Sequence, residues 1–179
     1  MITDFQLEPL FSASAIATRL TSLAGEIAVQ MPPEFVAIAV LKGSFVFAAD
    51  LVRALAAKQI NPEVDFMTLA SYGAQTVSSG NVRLLRDAEI GVENKNVLLI
   101  DDILDSGRTL QFARNHLLAR GAKSAKVCVL LDKTASRQPK PEILADFIGF
   151  SCPQVFVAGY GMDYAHKCRG LPFVAILCQ

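Results

Sequence analysis

The chain has 179 residues, with 17 lysines and arginines against 17 aspartates and glutamates, and is 52% hydrophobic and 19% charged. That length suits a single domain spanning residues 1–179 with a core of its own. The balance excludes an intrinsically disordered chain and, lacking any basic excess, a general nucleic-acid binder. The longest unbroken apolar run, Phe35 to Leu41, is far shorter than the ~18 residues a membrane-spanning helix needs, so no membrane partner is expected. Met1 to Phe5 carries no basic segment leading into an apolar one, and no secretory signal is expected. Cys128, Cys152, Cys168 and Cys178 form no CxxC pair and have no metal-ligand spacing, which predicts reduced thiols and a cytoplasmic protein.

In chain order, Ile16, Leu20, Leu23 and Ile27 recur at helical spacing between Ser12 and Gln30, with Ser12 or Ser14 available as a cap and Pro32-Pro33 as a stop. Phe35 to Leu41 has the length and branching of a strand covered on both faces. Lys42-Gly43-Ser44 breaks it, and Phe47, Leu51 and Leu55 mark a second helix. Val64 to Ala70 reads as a strand that runs into a polar loop from Ser71 to Gly80, closed by Val82 to Leu85. Asn96 to Ile100 is the next strand, followed by a turn over Asp101 to Gly107 and a helix from about Thr109 to Arg120, which Gly121 ends. Ala125 to Leu131 is another strand, and shorter ones are predicted at Phe147–Phe150, Val155–Ala158 and Phe173–Leu177. Such alternation predicts an α/β fold with a mostly parallel central sheet flanked by helices.

The most informative stretch is Ile100-Asp101-Asp102-Ile103-Leu104-Asp105-Ser106-Gly107-Arg108-Thr109-Leu110. A buried strand runs into a cluster of carboxylates and then into a Ser-Gly-x-Thr loop opening a helix. Strand C-terminal ends are where open α/β sheets bind ligands, and free amides, hydroxyls and a helix dipole suit a phosphate. Two readings stand on these residues alone: a functional site, or Asp105 and Ser106 capping a helix while Asp101 and Asp102 are solvated. If the strand continues, Asp101 and Asp102 point to opposite sides. No GxxxxGK[ST] loop and no G-x-S-x-G elbow occur, and Gly159-Tyr160-Gly161-Met162-Asp163-Tyr164 lacks the third glycine of a dinucleotide fingerprint.

The segment Asp101 to Thr109 resembles the phosphoribosyl diphosphate (PRPP) signature of type I phosphoribosyltransferases. Leu41-Lys42-Gly43-Ser44, Val64-Asp65-Phe66-Met67, Ser71-Tyr72-Gly73, Leu131-Asp132-Lys133 and Phe156 to Tyr164 follow in order, and narrow the resemblance to the bacterial 6-oxopurine (hypoxanthine) branch of that family. The resemblance implies a core over about 36–150, with a small hood built from about 1–35 and 151–179. It implies Mg²⁺-dependent transfer of phosphoribose from PRPP to hypoxanthine, and to guanine, in purine salvage.

By the same resemblance Asp101 and Asp102 hold the ribose hydroxyls, directly or through Mg²⁺-bound water, and Asp105 is the general acid–base group at purine N7. Ser106, Gly107, Arg108, Thr109 and Leu110 cradle the 5′-phosphate, with the Arg108 guanidinium facing solvent. Lys42, Gly43 and Arg169 bind diphosphate, Lys42 lying where the family has a non-proline cis peptide. Lys133 donates to the purine O6, Phe156 stacks on the ring, Val157 reads the base edge, and Asp163 belongs to the purine site as well as joining Asp101 and Asp102 as a metal ligand. Ser71 and Tyr72 begin a lid, and the family habit implies a homodimer or homotetramer. Taken singly, Lys42-Gly43-Ser44 is an ordinary strand-to-helix turn, Lys133 a solvated strand-end charge and Phe156 a core aromatic. The rivals are a xanthine/guanine-preferring transferase and a non-catalytic PRPP or nucleotide sensor on the same fold. Retention of Asp105, Lys133 and Asp163 argues against the sensor.

Overall fold

A computed structural model describes residues 6–71, 82–136 and 142–178. The elements begin with β1 (Gln6–Phe11), α1 (Ala13–Gln30), β2 (Val36–Leu41), α2 (Phe45–Ala56), β3 (Glu63–Ser71) and β4 (Val82–Arg86). They continue with β5 (Asn96–Leu104), α3 (Arg108–Ala119), β6 (Ser124–Asp132), β7 (Phe147–Ser151), β8 (Val157–Ala158) and β9 (Val174–Cys178). A six-stranded sheet has the order β4-β3-β2-β5-β6-β7, parallel throughout except for β4 at one edge.

The continuous apolar strands are explained by cover on both faces. In β2, Val36, Ile38 and Val40 pack toward Leu110, Ala113 and Leu117 of α3. Ala37 and Ala39 join the opposite cluster, with Ile16, Leu23 and Ile27 of α1 and Phe47, Leu51 and Leu55 of α2. Small alanines here leave room for the larger helical side chains. Helix α1 starts where Ser12 Oγ accepts from Ala15 N at 3.2 Å, as a cap should. Helix α3 ends at Gly121, whose φ of +86° few other residues tolerate.

A second sheet has the order β1-β9-β8, antiparallel in both pairings, and forms the hood. Tyr160 Oη ties it to α2 by donating to Asp50 Oδ2 at 2.7 Å. Burial and the Asp50 carboxylate together push the Tyr160 hydroxyl far above the ordinary phenol range.

Four expectations change. The segment before Ser12 is strand β1, missed because Pro9 interrupts the pattern and its partner among the described residues is the distant β9, with an irregular register at Pro9/Phe11. The hood takes only β1 from the N-terminal part, since α1 packs on the central sheet beside α2 and β7 rather than in the hood. The turn expected over Asp101 to Gly107 begins late, because β5 stays paired with β6 as far as Leu104. The strand expected at Val155–Ala158 is confined to Val157–Ala158.

Candidate active site

The sheet order places β2 and β5 side by side, while their outgoing connections run in opposite directions, to β3 on one side and to β6 on the other. At such a switch point the strand ends diverge and leave a crevice. Two adjoining cavities of about 460 and 220 Å³ open there, sharing Leu41, Lys42, Gly43, Leu69, Asp102 and Ile103. The smaller is completed by Asp101, Asp105, Ser106, Gly107, Thr109 and Leu110. The larger reaches under the hood to Lys133, Phe156, Val157, Asp163 and Arg169.

Backbone geometry builds the first wall. The Leu41–Lys42 peptide is cis, and Ser44 Oγ donates to Val40 O at 2.6 Å, closing the turn between β2 and α2. Gly43 lies so close to Asp102 that a Cβ on it would sit 1.7 Å from Oδ2. Gly161 of the hood approaches Gly43 as tightly, an added Cβ falling 2.2 Å from the Gly43 carbonyl oxygen.

The acidic wall continues β5. Asp101 is buried, and its Oδ1 accepts from Asp102 N at 2.9 Å, while Asp102 Oδ1 accepts from Ile103 N at 2.9 Å. The two residues line the same small cavity although they are neighbours on a strand, so alternation does not separate them. Burial pushes the Asp101 carboxyl well above the ordinary carboxylate range, and the Asp102 charge adds to the rise. Burial also raises Asp102, against the pull of the Asp101 hydrogen bond, the Ile103 N–H and the Arg169 guanidinium. Beyond them the chain turns at Gly107 (φ +76°) into α3, whose first amides have no intrahelical acceptor and whose Thr109 and Leu110 line the small cavity. The Arg108 side chain is exposed.

On the other side Lys133 is buried, and its Nζ donates to Val155 O at 2.7 Å. An ammonium has three donors, so this bond leaves others for a ligand. Phe156 is 59% exposed and meets Tyr164 edge to face, with centroids 5.8 Å apart. Asp163 Oδ1 pairs with Arg169 Nη2 at 2.6 Å, its Oδ2 accepts from His166 N at 2.8 Å, and Arg169 Nη1 donates to Gly161 O at 2.7 Å. This turn places Arg169 beside Asp163.

The sequence-derived residues Lys42, Gly43, Asp101, Asp102, Asp105, Ser106, Gly107, Thr109, Leu110, Lys133, Phe156, Val157, Asp163 and Arg169 all line one or other cavity. Ser71 closes β3, and Tyr72 lies outside the described residues. The sequence reading missed Thr68, Leu69 and Leu85, apolar or neutral wall residues that only the β3–β4 pairing brings to the rim. It also missed Gln154, whose Nε2 reaches the Lys133 carbonyl at 2.7 Å, because a glutamine after Pro153 gives no local signal. His116 pairs with Asp87 at 2.7 Å, away from the cavities. Cys128, Cys152 and Cys168 are free thiols.

A mostly parallel α/β sheet with an acidic, phosphate-suited loop at its switch point defines an enzyme fold that handles a phosphorylated sugar or nucleotide. The chain belongs to the phosphoribosyl transferase domain family, whose model matches residues 8–165. It is 42% identical over 169 residues to the hypoxanthine-guanine phosphoribosyltransferase of Bacillus subtilis, covering 94% of this chain and 91% of the relative. A crystal structure of a hypoxanthine-guanine phosphoribosyltransferase from Bacillus anthracis, with HEPES in its active site, superposes with a TM-score of 0.88 at 40% identity, covering 98% of this chain and all of that one (100%). A Trypanosoma cruzi hypoxanthine phosphoribosyl transferase, studied for the role of its C-terminal region in oligomeric state and activity, superposes with a TM-score of 0.88 at 35% identity, covering 99% of this chain and 94% of that one.

Proposed function

We propose that this chain transfers phosphoribose from PRPP to hypoxanthine, and to guanine, releasing diphosphate in purine salvage. The observation that carries this reading is that the acidic loop Asp101–Leu110 and the set Lys133, Phe156 and Val157 open into adjoining cavities that meet at Asp102 and Ile103. One chamber suits a ribose phosphate, the other a flat base.

In the reaction the C1–oxygen bond to diphosphate breaks, the bonding pair leaves with diphosphate, and the purine N9–C1 bond forms. Asp101 and Asp102 accept from the ribose hydroxyls and oppose the positive charge that develops on the ring. Asp105 takes the proton the purine releases, at N7. The amides of residues 107–110 and the hydroxyls of Ser106 and Thr109 hold the 5′-phosphate. Lys42 and Arg169 face the diphosphate, and the planar Arg169 fork suits that anion. Lys133 donates to O6, which adenine replaces with a donor group, and Phe156 offers its open face to the base.

The oxygen donors of Asp101, Asp102 and Asp163 are of the hard type that Mg²⁺ takes, and the buried Asp101 and half-buried Asp102, both raised by desolvation, gain from a nearby cation. Among the described residues these three do not converge as a ready three-carboxylate cluster, so they would hold it together with the diphosphate and retained water. When bound, Mg²⁺ supplies positive charge to the departing diphosphate while keeping several waters. Free thiols fit a reducing cytoplasm, and no helix among the described residues is long and apolar enough to cross a membrane. A homodimer or homotetramer is the assembly we expect.

The test is a spectrophotometric assay with PRPP, Mg²⁺ and hypoxanthine, guanine, xanthine or adenine, run on the wild type and on Asp105→Asn. Turnover with hypoxanthine is expected, with the variant folded but slower by ~10²–10⁴-fold, the range of a general acid–base group. PRPP binding without diphosphate release would support the sensor instead. Near-normal turnover of the variant would remove Asp105 from its role.

A further inference from the structure

The loop that carries Asp105 and the strand end that carries Lys133 come from different parts of the sheet, and the hood segment carrying Phe156 from a third. Their relative placement must hold to a fraction of an ångström for in-line chemistry. One side chain joins all three. Gln154 Nε2 lies 2.7 Å from the Lys133 carbonyl oxygen and 3.4 Å from Asp105 Oδ1. The next residue, Val155, accepts from Lys133 Nζ at 2.7 Å, so Lys133 is gripped at both its carbonyl and its ammonium by consecutive hood residues. Lys133 N in turn donates to Leu104 O at 2.9 Å, immediately before Asp105.

We infer that Gln154 is a positioning residue, whose amide clips Asp105 to the base-reading strand end through its two N–H donors. The inference rests on the reading of Asp105 and Lys133 given above. The chemistry requires a donor on both sides. A carbonyl and a carboxylate are both acceptors, and a primary amide carries two hydrogens on one nitrogen that can serve both at once. The bond to Lys133 is of ordinary length and the one to Asp105 is long, as hydrogen bonds to catalytic groups often are before substrate closes the site. A glutamate of the same length could donate to neither.

The experiment compares Gln154→Ala and Gln154→Glu with the wild type, with Asp105→Asn measured in parallel. Steady-state kinetics with hypoxanthine are read beside thermal midpoints. Both Gln154 variants are expected to lose roughly tenfold in kcat, the effect of one hydrogen bond to a charged group. The KM for PRPP and the melting midpoint should stay unchanged, and the glutamate variant should be at least as slow as the alanine one. Wild-type kcat in Gln154→Glu overturns the inference, as does a loss that tracks only the fraction folded. Should Asp105→Asn itself keep its turnover, the acid–base reading fails rather than the clip alone; a slow Asp105→Asn beside normal Gln154 variants refutes the clip and leaves that reading standing.

Discussion

Gly43→Ala tests how tightly the first wall of the site is built. The new methyl carbon would lie 1.7 Å from Asp102 Oδ2 and 2.6 Å from its Cγ. Optimal carbon contacts are about 3.5–4 Å, so the carboxylate must retreat by roughly 2 Å. Its other oxygen is held by Ile103 N at 2.9 Å, and the Gly43 carbonyl is pressed against Gly161, so neither partner can move without cost. A displacement of about 1 Å at a reacting centre costs on the order of 10²-fold, and we expect at least that loss in kcat/KM for hypoxanthine. The assay is initial-rate diphosphate or nucleotide formation under saturating PRPP and Mg²⁺, with circular dichroism to verify the fold. Gly91→Ala serves as the control, because nothing lies within 4 Å of its added Cβ, and it should keep wild-type rates. Activity of Gly43→Ala within twofold of wild type would refute the reasoning, since Asp102 would then not need its observed position.

Lys133→Ala should erase the preference for 6-oxopurines; unchanged discrimination against adenine would show that the O6 contact lies elsewhere. Gly25→Ala, within α1 and with open space around its Cβ, should stabilise the fold by about 1 kcal/mol through helix propensity, seen as a higher melting midpoint. A lower midpoint would mean that α1 has a neighbour at that face. Asp65 accepts from Phe66 N at 2.7 Å, Glu89 N at 2.6 Å and Ile90 N at 2.8 Å. Burial pushes its carboxyl up, but those N–H groups and Arg86 outweigh it and hold the group below its ordinary value. A depressed folded value means the stabilisation is present above the unfolded pKa of about 3.9 and disappears as pH falls through the folded value. In urea unfolding, Asp65→Asn should therefore be less stable than wild type at pH 7, with the gap narrowing in acid; a gap independent of pH would contradict the ion's role.

The mostly parallel sheet was legible because β2, β5 and β6 are apolar without alternation, and helices of a dozen residues separate them. Asp101 to Leu110 stood out because acids ending a buried strand before a Gly-containing helix start are informative within ten neighbouring residues. Lys133 and Phe156 were ambiguous as residues, and family resemblance rather than local pattern singled them out.

What the sequence determined by itself was therefore local: which segments are strands or helices, where caps and turns fall, and where the carboxylates gather. These depend on residues three or four places apart. Only the tertiary structure decided that α1 belongs to the central layers, that β1 closes the hood, and that Asp101 and Asp102 share one chamber. It also decided that Gln154 reaches Asp105 across 49 residues of chain. The physical reason is that β1 finds its hydrogen bonds only at β9, and the Gln154 amide finds its acceptors only once β6 and the hood have packed. No period or propensity records a partner that far along the chain.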